Sequence, residues 1–345
     1  MIEDNTEGIR PFLNSGSGSN IVITTHHKPD ADALGSSLAL YHYLVKLGKK
    51  VTVVTPTDYP VNLHWMPGND TVINFEAEAE KAASLVEAAD LIFCLDFNDL
   101  SRINDLGLLV EKSDAKTIMI DHHRDPSGFD DYRFWTIETS STSELIYDFI
   151  KSNDGAELID TDIASCMYAG IIADTGSFRY SSTTSHTHRI AAELIDLGVD
   201  SAKIHALLLD NFSLNRYRLM GYVLYKKLTV YPELKTALVS LTQEELMKFN
   251  IQTGDTEGFV NFGLGIKGIV FSALIIDRSV MVKMSFRSQG RFPCNEFANA
   301  HFNGGGHLNA AGGSSKESLE TVLEKFKNVL PTYKDLLLTS YSNEN

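Results

Sequence analysis

The chain is expected to form an α/β protein, with a mostly parallel sheet flanked by helices followed by a smaller α/β domain. Short apolar runs at 21–25, 51–55 (VTVVT), 90–95 (DLIFCL) and 117–121 (TIMID) alternate with helical stretches at 34–48 and 77–88. That alternation is the signature of strands joined by crossover helices. Carboxylates and imidazoles sit just where these runs end, on the edge at which open parallel sheets bind ligands. At 345 residues the chain is also long enough for two lobes with cores of their own.

In chain order, residues 1–19 read as a lead-in helix running into the flexible stretch N14-S-G-S-G-S-N20. The first strand, 21–25, stops at H26-H-K-P-D30-A-D32, after which Gly35 and two serines open an amphipathic helix. Further helices are expected at 142–153, 161–173 and 186–197. The spacing places a first domain over 1–199, a helical linker over 200–235 and a second domain over 236–345. The second should hold a strand at 236–241, a helix starting at Thr242, β-rich runs at 268–277 and 280–287 and a helix near 295–302. A glycine-rich loop, N303-G-G-G-H-L-N-A-A-G-G313, and an amphipathic helix at 316–329 complete it. G263-L-G-I-K-G268 formally matches a dinucleotide fingerprint, but helix precedes it and strand follows it, the reverse of the required context.

A formal net charge of −15 argues against long nucleic acid, which selects a basic stripe, and leaves short substrates as the expectation. No apolar run approaches the roughly 20 residues of a membrane helix, and the opening MIEDNTEGIR lacks the pattern of a secretion signal. A cytoplasmic protein is therefore expected. Cys94, Cys166 and Cys294 form no CxxC pair and read as core thiols.

Six residues could ligate metal: His26, Asp30, Asp32, Asp96, His122 and Asp174. A turn after Pro29 can aim Asp30 and Asp32 at one point, with His26 adding a nitrogen. Asp96 closes L91-I-F-C-L, and a carboxylate there has lone pairs enough for two ions. In Asp121-His122-His123 one imidazole can bind metal and the other, His123, can face substrate, with Asp121 orienting a ring. Mixed oxygen and imidazole donors suit manganese, with magnesium or iron as alternatives, better than zinc. Two such ions would balance four carboxylates and activate water against phosphorus. Each motif alone has a plainer reading: capping aspartates, a strand-end turn, loop histidines, a flexible glycine connection. Their conjunction favours the metal site.

Taken together, H26-x-x-P-D30-x-D32-A-x-G35-S, Asp96, D121-H-H, D174-T-G-x-F-R and G304-G-G-H-x-N-A-A-G-G resemble a DHH-family phosphoesterase with a C-terminal DHH-associated domain, over about residues 20–330. The resemblance implies that His26, Asp30 and Asp96 hold one manganese, and Asp32, Asp96, His122 and Asp174 the other. It implies that His123 lies at the scissile phosphate and that Gly304, Gly305, Gly306, His307 and Asn309 close over it, with Arg287 on a substrate phosphate. A two-lobe form with no sign of sensor or nucleic-acid-binding appendages is similar to the nano-RNase and pAp-phosphatase group, and that resemblance implies short RNA oligonucleotides and pAp as the expected substrates. Cyclic or linear dinucleotides, or pyrophosphate and polyphosphate, are the alternative substrates, and a nucleotide-binding regulatory protein is the non-enzymatic one. A monomer or a homodimer is equally compatible.

Overall fold

The computed structural model describes residues 2–14, 19–252 and 254–340, in two compact units, Met1–Asn211 and Phe212–Asn345. Most of the stretch expected to be flexible, 14–20, lies outside the described residues. Ahead of it come a 3₁₀ turn, Thr6–Ile9, and a helix, Arg10–Asn14.

The first unit is built on β1 (Glu3–Asp4), β2 (Asn20–Thr25), β3 (Lys50–Thr55), β4 (Ile73–Asn74), β5 (Leu91–Leu95), β6 (Lys116–Asp121) and β7 (Tyr132–Trp135). They are ordered β1-β7-β6-β5-β2-β3-β4, and every pairing is parallel except that of β1 with β7. The expected mostly parallel sheet is thus borne out. Its four central strands carry apolar residues on both faces because both faces are covered. Ile21, Ile23, Val53, Leu91, Phe93, Leu95, Ile118 and Ile120 pack on helices Ala31–Lys46, Thr142–Ser152 and Thr161–Asp174. Val22, Val54, Ile92 and Cys94 point the other way, onto helices Ala79–Glu87 and Asp105–Lys112. Strands β1, β4 and β7 were not read from the sequence. Two of them have only two residues each, too few for a period-two pattern to register.

One boundary shift matters for the site. The first long helix starts at Ala31 rather than near Leu34, because Asp30 caps it, its Oδ1 accepting from the amides of Asp32 and Ala33 at 3.0 Å each. Asp32, Gly35 and both serines are therefore helical. Gly35 is where this helix meets Thr161–Asp174, since a Cβ there would lie 2.5 Å from the Cys166 carbonyl oxygen. All three cysteines are buried and unbridged, as expected of core thiols.

The stretch 200–235 is not a uniform helical connection. It holds a short helix Ser201–His205, a π turn Ala206–Asp210, helix Leu214–Tyr222, a second π turn Val223–Lys227 and a strand, β8 (Leu228–Tyr231). Ile204 and Leu208 belong to the core of the first unit, Leu219 and Val223 to a core of the second.

The second unit continues with β9 (Thr236–Leu241), β10 (Phe271–Asp277), β11 (Val282–Ser288), β12 (Gly305–His307) and β13 (Ala310–Ser315), in the order β12-β13-β11-β10-β9-β8. Only β9 with β10 is parallel. One face packs Phe271 and Phe286 against Phe297, Phe302 and Phe326 from helices Cys294–Phe302 and Leu319–Val329. On the opposite face, Val239, Leu241, Leu274 and Ile276 of β9 and β10 pack against Leu219, Val223, Leu246 and Phe259. Thr242 does start a helix, Gln243–Lys248, through a reciprocal capping box with Glu245.

The glycine-rich segment differs from the expected loop. It is a hairpin, β12 and β13 joined through Leu308 and Asn309, with His307 opposite Ala310 and Gly305 opposite Gly312. Added Cβ atoms would strike the Gly312 carbonyl from Gly304 and the Ala310 carbonyl from Gly306, whereas at Gly305 they would meet nothing within 4 Å.

Candidate metal centre

The six candidate ligands converge on the C-terminal edge of the first sheet. His26 follows β2, Asp96 follows β5, His122 follows β6, Asp30 and Asp32 open helix Ala31–Lys46, and Asp174 closes helix Thr161–Asp174. The turn after Pro29 does not aim Asp30 and Asp32 at a single point. As cap and second helical residue they diverge by about 200° around the axis, and they enter different clusters. One cluster joins His26, Asp30 and Asp96; the other joins Asp32, His122 and Asp174. In each, one donor atom per residue lies within 4.8 Å of the others.

Asp96 stands between the two. Its Oδ2 is 3.4 Å from His26 Nε2 and its Oδ1 is 3.4 Å from His122 Nε2, so each oxygen faces a different imidazole. His122 Nε2 is also 3.3 Å from Asp174 Oδ2, and His26 Nε2 is 3.9 Å from Asp30 Oδ2. Asp96 adopts a left-handed backbone, φ 63°, at the strand end, a conformation that aspartate tolerates better than most residues. Thr142 Oγ1 donates to its Oδ1 at 2.9 Å. The ring of His26 is oriented from behind: its Nδ1–H donates to the His27 carbonyl at 2.9 Å, which leaves Nε2 as the nitrogen turned toward the carboxylates.

Asp32 is wholly buried and is held by residues the sequence reading missed. Its Oδ2 accepts from the Thr142 amide at 2.7 Å and its Oδ1 from the Ser143 amide at 2.9 Å. These are the first amides of helix Thr142–Ser152, whose positive end favours a carboxylate. The pattern S141-T-S-E144 marked that helix start, with Ser141 accepting from Glu144, but nothing in it pointed to Asp32. Gly170 makes the approach possible, because a Cβ there would run into Ser143 Oγ and come within 2.6 Å of Asp32 Oδ1.

The charges show what the clusters fit. Burial, with the neighbouring Asp96 charge, pushes Asp32 up to about 7, and burial with Asp32 nearby pushes Asp174 well above the carboxylate range. Burial alone would lower the imidazoles. Contact with Asp96, aided by Asp30 for His26 and by Asp174 for His122, instead raises them to about 9 and about 10. Asp96 resists the burial that would raise it and lies well below its ordinary value because His122 and His26 face it. Protons on the histidines thus do part of the work that cations would do. Two donors bound at about 2.1 Å to one ion at right angles stand roughly 3 Å apart, close to the observed spacing. Imidazole with carboxylate donors and no thiolate fits divalent cations of the manganese and magnesium kind.

His123 faces the same place by a separate route. Asp121, with no exposed surface, has its Oδ1 2.7 Å from His123 Nδ1, and His123 Nδ1 is 3.8 Å from Asp96 Oδ1. The orienting carboxylate therefore serves His123 and not the proposed ligand His122. Trp135 Nε1 donates to the His123 carbonyl at 2.7 Å and fixes the backbone there.

In the second unit, Arg287 of β11 lies opposite Ala310 of β13, which lies opposite His307 of β12. Residues directly opposite share a sheet face, so Arg287 and His307 flank a small residue. Ser285, Gly312 and Gly305 form the next row of that face. Asn309 is engaged in the hairpin, its Nδ2 donating to Ser288 Oγ at 2.8 Å and to the Gly290 carbonyl at 3.2 Å. His27 receives no role in the clusters; its amide and its Nδ1 both meet the Arg102 carbonyl.

Comparison with known proteins agrees. The DHH family, N-terminal domain, matches residues 20–171 and the DHHA1 domain matches residues 234–332. A Streptococcus mutans protein named as a probable bifunctional oligoribonuclease and PAP phosphatase, NrnA, is 32% identical over 90% of this chain and 94% of its own. The chain belongs to the DHH family. The resemblance read from the motifs is borne out, and with it the reaction class, hydrolysis of a phosphoester bond. A family relative from Thermus thermophilus, named bifunctional oligoribonuclease and PAP phosphatase NrnA, is 32% identical over 90% of each chain. The crystal structure of an exopolyphosphatase-related protein from Bacteroides fragilis superposes with a TM-score of 0.89 at 43% identity, covering 92% of this chain and 94% of that one. Among the described residues, no helix is long and apolar enough to cross a membrane.

Proposed function

We propose that this chain hydrolyses short oligoribonucleotides to mononucleotides and removes phosphate from pAp, using two divalent cations, manganese in the first instance. Asp96 carries the reading, since its two oxygens face two separate imidazoles, as a carboxylate shared between neighbouring ions would. His26, Asp30 and Asp96 would hold one ion, and Asp32, Asp96, His122 and Asp174 the other. Bound there, the ions would supply Lewis acidity at the phosphoryl group and a lowered pKa for the attacking water.

The protein residues divide the remaining work. His123, its ring aligned by Asp121, would donate a proton to the departing oxygen. The 1–199 region would carry the chemistry and 236–345 would recognise the nucleotide. On the second sheet, Arg287 and His307 offer cationic donors on either side of Ala310, and Gly305 leaves backbone open to a phosphate. The acidic balance of the chain supports short substrates over long ones.

The relatives' names support the pAp and oligoribonuclease activities, while the name of the B. fragilis protein favours a second reading, hydrolysis of polyphosphate. Purified protein with Mn²⁺ would be incubated with pAp, dinucleotides, 5- to 24-mers, cyclic dinucleotides, pyrophosphate and polyphosphate. The proposal expects the fastest turnover on the shortest RNAs and on pAp. Equal rates on 24-mers and dimers, or turnover of polyphosphate alone, would overturn it.

A further inference from the structure

Asp174 is followed by a turn in a conformation that side chains avoid. Helix Thr161–Asp174 ends in a Schellman arrangement, with Gly176 left-handed at φ 55°, its amide on the Ala173 carbonyl and the Ser177 amide on the Ile172 carbonyl at 2.8 Å. Such a motif needs one left-handed residue. Here Ser177 (φ 62°) and Phe178 (φ 64°) are left-handed too, and neither is glycine. Consecutive residues of this kind persist only where surrounding contacts over-determine them, and they concentrate at functional sites.

Such contacts surround this turn. Thr175 Oγ1 accepts from the Phe178 amide at 2.9 Å and donates to the Ile171 carbonyl at 2.6 Å. The Phe178 ring stacks on His188 with centroids 4.9 Å apart. The Tyr180 ring covers Gly176, where a Cβ would fall 2.5 Å from the ring. Ser177 Oγ lies 3.0 Å from His205 Nε2, and His205 Nδ1 lies 2.8 Å from the Ser201 carbonyl. A carbonyl can only accept, so the Nδ1–H donates to it. Neutral His205 then presents Nε2 as an acceptor and Ser177 Oγ–H donates to it. His205 closes helix Ser201–His205 and sits where the chain begins its way out of the first unit.

We infer that Ser177 and His205 are positioning residues for Asp174: their hydrogen bond latches the strained turn to helix Ser201–His205 and so fixes where the Asp174 carboxylate meets His122 and Asp32. The inference rests on the proposed role of Asp174 as a ligand. None of the family motifs includes His205, and the latch acts on the cluster of Asp32, His122 and Asp174 while leaving that of His26, Asp30 and Asp96 alone.

The test compares S177A, S177G, H205A, H205Q and D174A, each as the full-length protein. The readouts are the Mn²⁺ concentration for half-maximal activity, Mn²⁺ stoichiometry by calorimetry and the unfolding temperature. S177A and H205A should need about tenfold more Mn²⁺, the scale of losing an outer support of a ligand. H205Q, whose amide oxygen can accept from Ser177, should restore the wild-type requirement. Most telling is S177G, in which glycine relieves the left-handed backbone while the latch is lost. Its unfolding temperature should be no lower than that of the wild type while its Mn²⁺ requirement rises, a split that a purely structural serine would not produce. If D174A loses an ion and the latch variants keep the wild-type requirement, the latch is wrong and the ligand assignment stands. If D174A binds Mn²⁺ as the wild type does, the ligand assignment fails and the latch fails with it.

Discussion

The buried Asp121 pairs with the half-buried His123, Oδ1 lying 2.7 Å from Nδ1, so the adjacent His122 is the imidazole left to the carboxylates of Asp96 and Asp174. Two neighbouring histidines at one strand end thereby receive different partners and different tasks. The Asp121→Asn change tests the assignment, because a neutral amide cannot stabilise a protonated His123 ring as the carboxylate does. It should lower kcat by about 10²-fold or more with little change in Mn²⁺ requirement, in keeping with loss of an oriented proton donor. An unchanged kcat would remove His123 from the chemistry.

Asp96 should behave unlike any other ligand. Asp96→Ala removes an oxygen from both clusters at once, so calorimetry should show loss of both Mn²⁺ sites. Asp30→Ala should weaken one site and spare the cluster of Asp32, His122 and Asp174. Loss of a single ion in Asp96→Ala would show that the carboxylate is not shared.

Proton linkage gives a pH test with a definite sign. His26 and His122 are raised from 6.5 to about 9 and about 10 by their contacts with Asp96, against the opposing effect of burial. The stability they contribute to the metal-free fold is complete below pH 6.5 and is lost as pH rises through those values. Asp32, raised by burial from 3.8 to about 7, likewise favours its protonated form, a contribution lost as pH rises through about 7. Asp96, lowered by its histidine contacts despite burial, contributes above 3.8 and stays constant across this window. The metal-free protein should therefore lose stability between pH 6 and 9. Cations displace the same protons, so Mn²⁺ affinity and the rise in unfolding temperature on adding Mn²⁺ should both increase over that range. A metal-induced shift that shrinks toward pH 9 would contradict the linkage.

The glycines of the hairpin separate packing from recognition. Gly304→Ala and Gly306→Ala place a Cβ against opposing backbone and should destabilise by about 1–3 kcal/mol. Gly305→Ala meets open space, and its backbone is not left-handed, so unfolding should be unaffected. If the face shared with Arg287 and His307 binds phosphate, KM should rise in Gly305→Ala at unchanged stability. A wild-type KM would remove the face from the binding site.

Gly170→Ala probes the support beneath Asp32. The methyl group would displace Ser143 or Asp32 itself, so stability should fall by about 1–3 kcal/mol, with a weaker second Mn²⁺ site. Thermal unfolding and Mn²⁺ titration on one preparation check both effects.

Local sequence carried the catalogue of parts. Apolar runs bounded by His26, Asp96 and Asp121 revealed strands and the edge on which they end, because a strand buried on both faces needs no long-range information to be recognised. The ligand residue types likewise sit in short contiguous motifs. What tertiary packing decided is how those parts are partnered. Asp30 and Asp32 part company because the helix begins at Ala31, and Asp32 binds the amides of a helix that starts 110 residues later. Asp121 turns to His123, and the glycine run becomes a hairpin because β13 and β11 are there to receive it. Hydrogen bonds and close backbone contacts across such separations depend on which surfaces meet in the folded chain, and no local pattern of residues encodes that meeting.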